Sequence, residues 1–113
     1  MGTTVDDQVL ADARSGCEKA WQTLVDAYIS LVHGITRSYG LKRKASAEVN
    51  QVVWLRLVEH LPRIRHADAV SGWIAATTRA ECLKPRWASR RISWAATTIR
   101  GDEARATASA RTF

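Results

Sequence analysis

Basic side chains concentrate toward the second half of the 113-residue chain, where Arg63, Arg65, Arg79, Lys84, Arg86, Arg90 and Arg91 stand within thirty positions. Residues 1–60 carry seven Lys or Arg against seven Asp or Glu, whereas residues 61–113 carry ten against four, so the whole formal net charge of +6 lies in the second half. A basic half beside a neutral half suits a protein with two different surfaces, one of them facing a polyanion such as nucleic acid or an anionic membrane. Residue types that would support catalysis lack the necessary spacing. His33, His60 and His66 form no HExxH or other metal-ligating pattern, and no glycine-rich phosphate loop is present. Cys17 and Cys82 are far apart, lack CxxC spacing and are expected to stay reduced. The chain is therefore expected not to be an enzyme and to need no cofactor and no metal.

These charges need elements to hold them. At this length one small domain with a modest core is expected. Val5 to Ser15 can form a first helix, capped by Thr4 and with Asp6 and Asp7 at its positive end. Ser15-Gly16-Cys17-Glu18 has the spacing of a capping box, which predicts that a second helix starts there. Its apolar residues Trp21, Leu24, Val25, Tyr28, Leu31, Val32, Ile35 and Tyr39 recur at three- and four-residue spacing, and Gly40 is placed to end it.

After an exposed Lys42-Arg43-Lys44 connector, Val49, Val52, Val53, Leu57 and Leu61 predict a third helix that stops at Pro62. A basic loop follows from Arg63 to Asp68, and Asp68 or Ser71 can cap a fourth helix with Val70, Trp73, Ile74 and Thr77 turned inward. Pro85 should break that helix, and Arg86 to Ile99 can resume as helix. No useful strand-like alternation occurs. The expected fold is all-α, a compact bundle of three to five helices over residues 1–99, with a disordered tail over residues 100–113. The first twenty residues lack a signal-peptide core and no apolar run approaches a membrane span, so a cytoplasmic protein is expected.

In the third helix Glu48, Gln51, Val52 and Leu55 share one stripe, a mixed polar and apolar face suited to docking on another helix. The run from Glu48 to Arg56, followed by the Arg63–Asp68 loop, Gly72-Trp73, Thr77-Thr78-Arg79 and the basic run after it, resembles region 2 of bacterial extracytoplasmic-function (ECF) sigma factors over about residues 8–91.

The resemblance implies a promoter-recognition domain. By its terms Glu48, Gln51, Val52, Leu55 and Arg56 would bind the coiled coil of the RNA polymerase β′ clamp. Val52 stands where the family usually has an acid, and Asn50 where it usually has an aliphatic residue. The loop with Arg63, Arg65, His66 and Asp68 would pocket a base flipped from the non-template strand of the minus-ten element. Arginine can reach a phosphate or base edge, histidine can stack, and aspartate can accept from an exocyclic amine. Arg79, Lys84, Arg86, Arg90 and Arg91 would neutralise phosphates along that strand. The family's minus-thirty-five-reading module has no counterpart here. An alternative is a truncated sigma-like interaction module that binds an anti-sigma factor or polymerase without productive promoter recognition.

Overall fold

The computed structural model describes residues 5–92. Four α-helices organise it: α1 (Asp7–Arg14), α2 (Glu18–Ser38), α3 (Arg43–His60) and α4 (Asp68–Cys82), with 3₁₀ turns over Leu61–Arg63 and Pro85–Arg90. The 21-residue α2 is the central member, packing on α1, α3 and α4, while α3 also packs on α4. Leu10, Leu24, Val32, Val49, Val53, Leu57, Val70 and Ile74 have no exposed surface. Each such side chain contributes about 1.5–3 kcal/mol relative to exposure. Trp21, Tyr28, Leu31 and Tyr39 pack around this core, as the spacing in α2 predicts. No β-strand forms among the described residues; an isolated antiparallel bridge joins Leu41 to Arg91.

The helix starts differ from expectation. Asp6 caps α1, its carboxylate accepting from Val9 N at 2.9 Å, while Thr4 lies outside the described residues. The Ser15–Glu18 capping box does not form. Ser15 closes α1 instead, its hydroxyl donating to Ala11 O at 3.0 Å, and Gly16 at φ +93° turns the chain before Cys17 leads into α2. Neither Asp68 nor Ser71 caps α4; Ala67 occupies that position, and its N–H donates across the bundle to Asp7 Oδ1 at 2.8 Å. A carboxylate from α1 thus supplies the negative charge that the start of α4 favours.

The helix ends follow the sequence more closely. Gly40, at φ +71°, turns the chain after α2. α3 ends two residues before Pro62, and α4 ends ahead of Pro85. The expected helix from Arg86 is replaced, as far as it is described, by the 3₁₀ turn and an extended Arg91. That segment folds back: Lys42 N donates to Arg90 O and Ile92 N to Gly40 O, both at 3.0 Å. These bonds tie it to the α2–α3 connection in place of the i→i−4 ladder of a continuing helix. The rest of the expected helix to Ile99 and the expected tail lie outside the described residues, as does the proposed domain boundary.

Candidate nucleic-acid and polymerase interfaces

The loop between α3 and α4 is anchored by two apolar residues, Ile64 and Ala67, which are 4 % and 6 % exposed. With those turned inward, Arg63, Arg65, His66 and Asp68 are exposed. Arg14 Nη1 of α1 donates to Ile64 O at 2.9 Å, so α1 holds the loop both here and at Ala67. His66 Nδ1 lies 4.0 Å from Asp7 Oδ2, but both side chains are well exposed and the pair is weak.

Beside the loop a cleft of about 310 Å³ is lined by Arg56, Glu59, His60, Arg63, Trp73 and Thr77. The rings of His60 and Trp73 stack with centroids 4.9 Å apart and planes 13° from parallel. Trp73 is therefore both packed against the core, as its spacing predicts, and a wall of this cleft. Aromatic walls and arginines offer stacking and charge to an unpaired base. The part of His60 is a feature that the sequence reading missed; its signal was an aromatic pair across the loop.

Arg79 is exposed on α4 and has no ion-pair or hydrogen-bond partner among the described residues. The later cations are placed differently. Glu81, 1 % exposed, collects Lys84 Nζ at 2.9 Å, Arg56 Nη2 at 3.5 Å and Arg86 Nε at 3.8 Å, and accepts from Trp87 Nε1 at 3.0 Å. Burial opposes ionisation of Glu81, but the hydrogen bonds from Lys84 and Trp87 and the fields of Lys84 and Arg86 outweigh it and hold the carboxyl below its ordinary value.

Arg90 pairs with Glu48 at 3.3 Å, and Arg91 donates to Cys82 O. The Arg86 and Arg90 guanidinium carbons lie 4.7 and 5.7 Å from the Trp87 ring centroid, within cation–π range. The structure thus gathers Lys84, Arg86, Arg90 and Arg91 around the end of α4, with internal partners, and leaves Arg79 without one. Glu81 and Trp87 have no part in the site expected from the sequence. The i,i+3 spacing of Glu81 and Lys84, with a tryptophan three residues later, was their only local sign.

On α3, Gln51 is exposed, Leu55 is 62 % exposed, and Glu48 and Val52 are half-buried. Val58, 53 % exposed, adds an apolar residue that the sequence reading left out. Arg56 belongs to the Glu81 cluster as well as to this helix's outer surface. Asn50 is absent from the outer stripe: it is 7 % exposed, and its amide donates to Ser46 O at 3.0 Å. Among the described residues no cluster of three or more His, Cys, Asp or Glu could hold a metal, and no helix is long and apolar enough to cross a membrane.

The Sigma-70 region 2 family model matches residues 24–92, more than half of the chain. The chain belongs to the Sigma-70 region 2 family. No curated protein and no solved structure matches it. Sigma-70 region 2 domains are non-enzymatic, bind RNA polymerase and act in promoter melting. The all-helical fold agrees with that membership. The matched span covers the loop, the cleft, α3, α4 and the Glu81 cluster, and α1 lies before it.

Proposed function

We propose that this Sigma-70 region 2 domain is the promoter-recognition domain of an ECF-type sigma factor, acting with RNA polymerase in the bacterial cytoplasm. In this reading Glu48, Gln51, Val52, Leu55 and Arg56 dock on the β′ clamp coiled coil. Arg63, Arg65, His66 and Asp68 read the non-template strand of the minus-ten element, and Arg79 holds its phosphates. Lys84, Arg86, Arg90 and Arg91 contribute to the field felt by that strand, each while retaining its internal partner. The observation that carries the reading is the braced, cationic Arg63–Asp68 loop beside a cleft walled by Trp73 and His60. It offers an unpaired base a stacking surface next to side chains able to test its edges.

The internal pairing of Lys84, Arg86, Arg90 and Arg91 favours a second reading, a module that binds polymerase or an anti-sigma factor without capturing DNA. Binding to fluorescent single-stranded minus-ten oligonucleotides, changed one base at a time, separates the two. Strand capture gives sequence preference that shifts with Arg65 or Asp68 substitution, and Arg79→Ala weakens binding to every sequence, lowering the salt slope by about 0.7. Polymerase capture without base preference would favour the second reading.

A further inference from the structure

A second concavity, of about 520 Å³, opens between the carboxyl end of α2 and the amino end of α3, lined by His33, Arg37, Leu41, Arg43, Ser46 and Ala47. Three of its lining residues carry basic groups and none is acidic. The side chains of His33, Arg37 and Arg43 are exposed and have no hydrogen-bond or ion-pair partner among the described residues. This sets them apart from the cations near the end of α4, which have carboxylate or carbonyl partners. Lys42 and Lys44 add exposed positive charge beside Arg43.

The start of α3 strengthens the same field. Its cap residue Lys42 makes no side-chain cap bond, and its first turn contains no acid, so the partial positive charge of an 18-residue helix is uncompensated there. The first carboxylate along α3 is Glu48, which is already paired with Arg90. From the folded-back segment Arg90 and Arg91 approach, both cationic. Two unpaired guanidinium groups and an imidazole in one concavity suit tetrahedral phosphate oxygens, which planar arginine forks bind in pairs; the Ser46 hydroxyl in the same wall is already bonded to the Thr36 hydroxyl at 2.6 Å.

We propose that this cleft seats backbone phosphates of nucleic acid, as a contact additional to the loop and Arg79. The inference rests on the strand-capture reading, because the position of the cleft supplies the connection. Leu41 in its wall is bridged to Arg91, whose side chain reaches Cys82 O at the end of α4, one turn beyond Arg79. A backbone passing Arg79 and continuing along the end of α4 would be led toward the cleft.

The test is the salt dependence of binding a labelled single strand of about twenty nucleotides between about 50 and 200 mM salt. Parent, Arg79→Ala, and the pair Arg37→Gln with Arg43→Gln are compared, the glutamines keeping the aliphatic stems. Lys19→Glu, an exposed site on α2 away from the cleft lining, removes the same two units of charge. Two lost phosphate contacts should lower the slope by about 1.4 in the paired variant, with Lys19→Glu near the parent and melting curves unchanged. An equal loss in Lys19→Glu would reduce the effect to overall charge and overturn the cleft. A parental slope in the paired variant, with loss in Arg79→Ala, would overturn the cleft and leave strand capture standing. Parental slopes in both would remove both.

Discussion

Replacing Glu81 by glutamine isolates one charge at the centre of the Arg56–Lys84–Arg86–Trp87 cluster. Glutamine is nearly isosteric and keeps an oxygen for Trp87 Nε1, so that 3.0 Å bond can survive. What disappears is the charge facing Lys84 at 2.9 Å and, more weakly, Arg56 and Arg86 at 3.5 and 3.8 Å. Stranding a buried charge costs about 3–5 kcal/mol, but the three cations here are 39–58 % exposed and can turn to water. The expected loss is then close to that of one charge-assisted hydrogen bond, about 2 kcal/mol, with little from the two arginines. For a domain of this size that lowers Tm by about 8–16 °C.

Circular-dichroism melts from neutral to acid pH test this in two ways. The folded carboxyl titrates below its ordinary value of 4.5, so its stabilisation is present above the unfolded value and disappears as pH falls through the folded one. The gap between parent and Glu81→Gln should therefore be full at neutral pH and close in acid. A neutral-pH Tm within about 2 °C of the parent, or a gap that does not change with pH, would refute the reasoning.

Two further outcomes follow from exposure and burial. Leu55→Asp and Val58→Asp, at positions 62 % and 53 % exposed, should abolish capture of RNA polymerase while changing stability by about 0.5 kcal/mol or less; retained capture would move the docking face elsewhere. Cys17 is exposed, whereas burial, opposed by Arg91 and reinforced by Glu81, pushes the Cys82 thiol up to about 12. In a thiol-reagent titration of the folded protein Cys17 should react promptly and Cys82 only on unfolding, and rapid modification of both would contradict the buried placement of Cys82.

The helical class, the inward face of α2 and the stops at Gly40 and Pro85 were legible because periodicity and backbone geometry are local properties of a sequence. Caps were not. Ser15 and Glu18 have the right spacing for a box, but Gly16 turns the chain between two helices and leaves Ser15 with α1. Asp68 lost its expected role to Asp7, which lies sixty positions before the Ala67 amide it accepts from. The site was legible to the same degree. The loop and the α3 stripe can be read from neighbouring residues, and Arg79 is exposed without a partner among the described residues. The fate of the later cations depended on a buried carboxylate, Glu81, whose partners come from α3 and from the 3₁₀ segment that follows its own helix. Asn50 shows the reverse: a polar residue in an otherwise apolar pattern proved to be interior, its amide nitrogen donating to Ser46 O one helical turn away while its Oδ1 is buried without a partner among the described residues.

Helix α1 lies ahead of the family-matched span and contributes none of the proposed contacts, yet Arg14 and Asp7 fasten the loop backbone at Ile64 and Ala67. Its consequence is entropic. A loop already tethered at two points forfeits less freedom when it closes on a nucleotide, so more of the contact energy remains as affinity. In the proposed strand capture, discrimination between bases would gain as well, since a rigid rim cannot remould itself around the wrong one.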